Sequence, residues 1–180
     1  MDVQEAGKTI EAMLDLPIRY IDRSRAYYLA LGYDNPYRWA HSRDVPFAAL
    51  SKPLASSRIG LITTAAPFRP DAGDQGPWGP YNAAAKFTEA YSMPIDPPPD
   101  LRISHVGYDR KHTSAEDINT YFPLQQLREA AATGRVGELN TRFYGVPTLR
   151  SQRLTAERHA PRVLEMCRED AIDAAILVAT

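Results

Sequence analysis

The sequence predicts an α/β fold: a mainly parallel sheet flanked by helices, with an N-terminal helical and extended arm. Three observations carry that prediction. Arg58-Ile59-Gly60-Leu61-Ile62-Thr63-Thr64 and Ala174-Ala175-Ile176-Leu177-Val178-Ala179-Thr180 are short, apolar, β-branched runs of the kind buried on both faces of a sheet. Between them lie two segments with helical punctuation or spacing. A strand, helix, strand order is joined most simply by crossovers between parallel strands.

Taken along the chain, Ile10, Met13 and Leu14, then Tyr20, Ile21, Tyr27, Tyr28 and Leu31, recur at helix-compatible spacing, which predicts two short helices broken near Pro17. Asn35-Pro36, Val45-Pro46 and Lys52-Pro53 read as turns and extended backbone, a covering arm that ends at residue 53. Residues 54–180 form the expected α/β domain. Its first strand, from Arg58, runs into the stretch from Pro67 to Pro80, which with Pro94 to Pro99 is too proline-rich for helix or central strand. Leu101-Arg102-Ile103-Ser104-His105-Val106 alternates and predicts a second strand. Phe122 to Ala132 has Pro123 at its start and Gly134 past its end, the usual asymmetry of a helix. A further strand is expected around Thr141 to Tyr144. From Leu154 to Asp170, Val163, Met166 and Cys167 share one helical face, and Pro161 must lie in a first turn or kink the helix.

Composition limits the functions open to such a fold. The 180 residues are 44% hydrophobic and 24% charged, with 21 basic and 22 acidic side chains spread along the chain. That balance leaves no electrostatic footprint for nucleic acid or anionic lipid. No apolar run approaches the roughly 20 residues of a membrane span, so a cytoplasmic protein is expected. Cys167 is the single cysteine, which leaves neither an internal disulfide nor a cysteine-based metal cage. Its place on the stripe with Val163 and Met166 makes packing the first explanation of the thiol.

The densest polar constellation follows the second expected strand: Ser104-His105, Tyr108-Asp109, His112 and Glu116-Asp117-Ile118-Asn119. Imidazoles and carboxylates after a strand end can relay protons, polarise a carbonyl or hold a metal. The spacing matches no standard metal motif. Against these roles stand a satisfied core His105, and Asp117 or Asn119 as a helix cap. Thr63-Thr64 and the loop behind them offer backbone N–H groups to an anion. Asp71, Gly73, Gly76, Trp78 and Tyr81 lie in a loop long enough for a lid, or for a surface loop with no role. Hydrolase, dinucleotide and zincin motifs are absent.

The segments Arg58 to Ala65, Ile103 to Asp109, Glu116 to Pro123 and Ile172 to Thr180 together resemble the selenoprotein B family of glycine, sarcosine and betaine reductases and of D-proline reductase. The resemblance runs from about Leu54 to Thr180. It implies a substrate-specific reductase subunit that cleaves a carbon–nitrogen bond of a small amino acid or amine with a selenol or thiol. It also implies that the redox residue, a selenocysteine or cysteine, follows Thr180, so that residues 1–180 hold no cofactor and alone are expected to be inactive. His105 and Asp109 are then the catalytic candidates. Thr63, Thr64, Asp117 and Asn119 are the substrate-binding or loop-fixing ones, and no metal ligand is expected. Partners implied are the small amine or amino acid, other reductase subunits, a thiol donor and further copies of the chain. Two other readings remain: a non-enzymatic binding or assembly module of the same fold, and a metal-assisted hydrolase built on His105, His112 and Asp117.

Overall fold

The computed structural model describes residues 19–33, 43–68, 87–103, 116–149 and 151–179. Two compact units divide the chain, residues 1–44 and 45–180. In the first, α1 spans Tyr20–Ala30, where the second of the two expected N-terminal helices falls; the first of them and Pro17 lie outside the described residues. Arg19 pairs with Asp22 at 2.6 Å in its first turn, and Gly32 adopts a positive φ of 81° just past its end, the conformation that suits a residue without Cβ.

In the second unit, residues 45–53 are exposed and carry no helix or strand, as the turn signals at Val45-Pro46 and Lys52-Pro53 require. The core sheet is built on β1 (Arg58–Thr63). On one edge β1 pairs with β7 (Ala174–Val178) in parallel, from Ile59 opposite Ala174 to Thr63 opposite Val178. On its other edge it pairs in parallel with β5 (Glu138–Leu139) and then β6 (Arg142–Gly145), successive parts of one path interrupted at Asn140 and Thr141. Outside β6 lies β3 (Tyr91–Pro94), which runs antiparallel to it. The sheet is therefore mainly parallel.

Side-chain alternation along β1 and β6 sends Leu61 and Phe143 to one face and Ile62 and Tyr144 to the other. The first face is covered by α2 (Leu124–Ala132), through Leu124 and Leu127, with Phe122 and Tyr121 ahead of it. Phe122 and Phe143 meet edge to face with centroids 4.7 Å apart, and Tyr91 meets Phe143 at 5.9 Å. Gly134, at φ 71°, ends this helix as its position predicts. The second face is covered by Val163, Met166 and Cys167 of α4 (Ala160–Glu169). One helix layer on each face completes the α/β architecture.

α4 is continuous with a short α3 (Gln152–Leu154) through a π-helical turn, Thr155–His159. The turn has a local cause. Pro161 has no N–H to close an ordinary i→i−4 bond, and the helix widens in the turn that this missing bond leaves free. Ser151 caps the helix start, its hydroxyl accepting from Leu154 N at 3.2 Å.

Three expectations need correction. Of the strand predicted from Leu101, the described residues pair over Leu101–Arg102 (β4), antiparallel with Ala66–Pro67 (β2) in a separate two-stranded ribbon. The proline at position 67 keeps β2 off any central position. The Ala174 run, expected to be buried on both faces, is an edge strand on which Ile176 is 39% and Leu177 63% exposed. An apolar run reports strand propensity, whereas burial depends on what surrounds the strand, and among the described residues β7 pairs only with β1. β3 was not expected at all, because Tyr-Ser-Met-Pro is short and ends in a proline that only an edge strand tolerates.

Candidate functional site at the strand ends

Parallel α/β sheets gather ligands at the carboxyl ends of their strands. Here the carboxyl end of β1 is tied to three segments. The Thr63 hydroxyl, fully buried, donates to Tyr121 O at 2.8 Å and accepts from Ala65 N at 3.1 Å. Thr64 N donates to Val178 O at 3.3 Å, joining the ends of β1 and β7. The Tyr91 hydroxyl donates to Ala65 O at 2.8 Å. Burial pushes the Tyr91 phenol well up from its ordinary value, so it stays a neutral donor there.

The Thr63–Tyr121 bond brings the turn at 117–122 to the end of β1. In that turn Asp117 accepts from Asn119 N at 2.9 Å and from Asn119 Nδ2 at 2.7 Å, and its own carbonyl accepts from the Thr120 hydroxyl at 2.8 Å. Asp117 thus caps a single 3-10 turn, Ile118–Thr120, and not the longer helix after Pro123. Asn119 Oδ1 is buried with no partner among the described residues. Beside the turn, Pro98 and Pro99 face Ile118, Phe122, Leu124, Gln125 and Arg128 across a cavity of about 300 Å³. Its walls are mostly apolar, and Arg128 is already paired with Asp96 at 2.5 Å.

Of the residues singled out in the sequence, Thr63, Thr64, Asp117 and Asn119 thus belong to the strand-end region, with the polar atoms of Thr63 and Asp117 engaged in holding backbone. His105, Asp109 and His112 lie outside the described residues, as does the loop carrying Asp71, Gly73, Gly76, Trp78 and Tyr81. Among the described residues no three His, Cys, Asp or Glu side chains gather as a metal ion needs. No helix among them is long and apolar enough to cross a membrane.

Cys167 lies in the last turn of α4 and is 9% exposed, packed with Tyr144, Val163 and Met166. Burial pushes its thiol up, which the Tyr144 hydroxyl opposes only in part. This thiol is a packing group.

A second polar cluster occupies the amino ends of the strands. Asp170 accepts from Arg142 Nε at 2.6 Å, Tyr144 OH at 2.5 Å and Asn140 Nδ2 at 2.9 Å, and Arg142 also donates to Glu169 at 2.9 Å. Arg142 first, then Tyr144 and Asn140, holds the Asp170 carboxyl down at about 2. Because the folded value lies below the ordinary 3.8, the stabilisation is fully present above about pH 4 and is lost as pH falls toward 2. Asp170→Asn is expected to cost about 2 kcal/mol at neutral pH. Its urea midpoint should also converge on that of the parent between pH 4 and 2; a difference that stayed constant over that range would remove Asp170 as the titrating group.

Tyr91 and His159 were not singled out in the sequence. Tyr91 carries no motif. His159 did leave a signal: it stands four residues before Val163 and so continues the buried stripe of Val163, Met166 and Cys167. It is 1% exposed, with Nε2 3.1 Å from Thr88 O.

Central parallel strands, a helix layer on each face and loops pinned at the carboxyl ends define a mainly parallel α/β protein. Within that class the chain belongs to the glycine/sarcosine/betaine reductase selenoprotein B family, whose model matches residues 37–180. The match reaches back beyond Leu54, where the sequence resemblance began, into the extended arm. No curated protein and no solved structure matches the chain.

Proposed function

We propose that this chain is the substrate-specific, selenoprotein B-type subunit of a reductase that cleaves the carbon–nitrogen bond of a small amino acid or amine. The observation that carries the reading is the family match over residues 37–180, on a fold whose β1 and β7 end side by side. A selenolate or thiolate would supply the chemistry: its bond to carbon forms as the carbon–nitrogen bond breaks and the amine departs, and a dithiol donor, becoming a disulfide, then cleaves the new carbon–selenium or carbon–sulfur bond, delivering two electrons and a proton to carbon and freeing the selenolate or thiolate. That nucleophile is not Cys167, whose buried thiol is pushed away from ionisation. The reading takes it from the selenol- or thiol-bearing segment that the family resemblance implies.

The chain's own residues bind and orient. Thr63 fixes the 117–122 turn, and Asp117 with Asn119 fixes the shape of that turn. His105 and Asp109 orient the substrate or move the proton that the departing amine needs. The amine or amino acid, a thiol donor and other reductase subunits are the partners, in a cytoplasmic oligomer.

The test is carbon–nitrogen cleavage with dithiothreitol, read as amine release from glycine, sarcosine and betaine and as ring opening to a linear amino acid for D-proline. It compares the chain joined to its selenol- or thiol-bearing segment with residues 1–180 alone. Release only by the joined protein is expected, and His105→Ala should lower kcat/KM roughly 100-fold. No cleavage of any of the four by the joined protein would overturn the reading.

A second reading, a non-enzymatic assembly module, is favoured by one feature, the unguarded apolar edge of β7 at Ile176 and Leu177. That edge equally suits docking of another reductase subunit.

A further inference from the structure

The segment 87–91 crosses the carboxyl ends of the strands on its way into β3, and three elements hold it. Phe87 packs edge on against Tyr91, with centroids 4.8 Å apart. The Tyr91 hydroxyl reaches Ala65 O behind β1, and the Tyr91 ring covers Gly145 at the end of β6. On the helix side, Arg158 pairs with Glu89 at 2.8 Å and His159 Nε2 lies 3.1 Å from Thr88 O.

These ties differ in weight. Both partners of the Arg158–Glu89 pair are more than half exposed, and such pairs contribute little. His159 is 1% exposed, and its bond to the Thr88 carbonyl is out of water. A carbonyl only accepts, so Nε2 carries the proton and the ring donates. Nδ1 is buried with no partner among the described residues, which leaves the Nε2 bond as the polar contact of this ring among them. A core histidine that served packing alone would be replaceable by Leu or Phe without leaving a carbonyl unpaired. This one is placed by a π-helical turn, a feature that recurs at functional sites, and it ends that turn on the buried stripe.

We propose that His159 is a positioning residue of the strand-end site: through Thr88 it sets where segment 87–91 crosses the sheet, and with it where Tyr91 and Ala65 stand beside the substrate. This deepens the reductase reading and rests on it for the nature of the substrate. His159 touches no reacting atom in this scheme and acts through backbone.

The test uses two variants and two readouts. His159→Gln keeps an N–H donor at the reach of Nε2, whereas His159→Phe keeps the ring volume and removes the donor. Hydrogen exchange of the amides at 88–91 should become about tenfold faster in the Phe variant, stay near the parent in the Gln variant, and be unchanged in both at Leu61 and Phe143. In the joined, selenol- or thiol-bearing protein, the Phe variant should raise KM for the amine at least fivefold, with kcat changed less, and Gln should restore it.

Unchanged exchange at 88–91 in the Phe variant, or failure of Gln to restore it, overturns the clamp. Changed exchange with parental KM overturns the positioning role. If the parent itself turns over no amine, the reductase reading fails, while the exchange data still decide the clamp. Should the Phe variant unfold, His159→Asn takes its place, because its amide lies at the reach of Nδ1 and offers nothing to Thr88.

Discussion

Phe143→Ala is expected to lower the unfolding free energy by roughly 3–5 kcal/mol. Phe143 is fully buried at the centre of β6 and faces the α2 layer. Its ring lies between Phe122 and Tyr91, edge on to both, so truncation removes the middle of a three-ring row. The neighbours cannot collapse freely into the space. Phe122 is held ahead of α2 by the Thr63–Tyr121 bond, and Tyr91 is tethered by its hydroxyl to Ala65. The cavity is therefore expected to persist, which places the cost in the upper part of the range for such truncations. Urea denaturation with an unchanged m-value checks this, and Phe143→Leu should cost well under half as much. A loss of less than about 1 kcal/mol for the alanine variant would mean that Phe143 does not occupy the core.

The elements that sequence reasoning located are those whose local signal and tertiary fate agree. In β1 an apolar β-branched run also has partners on both edges. In α2 proline before the helix and glycine after it sit where backbone sterics put them, and in α4 the 163, 166 and 167 stripe does face the sheet. Where the local signal is silent about neighbours, the reading fails. The Ala174 run looks like β1, yet among the described residues it pairs on one edge alone; Leu101-Arg102 alternates like a sheet strand, yet it pairs in a ribbon of its own.

The site shows the same division. Thr63 and Asp117 were visible as polar residues at strand and turn positions. What they hold, a carbonyl 58 residues away for Thr63 and a single turn for Asp117, depends on contacts that no spacing encodes. His159 was legible only as one more position on an apolar stripe. Its partner, Thr88, is 71 residues distant, and no local pattern links the two.

Gly145→Ala is expected to cost roughly 2–4 kcal/mol, although Ala is ordinarily the milder residue in regular structure. The reason is the close approach of Tyr91: a Cβ at position 145 would fall within the Tyr91 ring, among Cε1, Cζ and Cδ1. The backbone of β6 cannot retreat, because Gly145 is opposite Thr63 on one side and Tyr91 on the other, and Val146 N donates to Thr63 O at 2.9 Å. The ring must therefore leave, and with it go the bond to Ala65 O and the edge contacts with Phe143 and Phe87. Steric origin makes a signature that simple loss of stability does not. Tyr91→Ala alone loses the ring, whereas Tyr91→Ala with Gly145→Ala loses the ring but has no collision, so the second change should cost almost nothing once the first is made. A double-mutant cycle is then expected to show at least about 1 kcal/mol of coupling. Costs that simply add would show that Gly145 is required for its own backbone and not for the room it leaves to Tyr91.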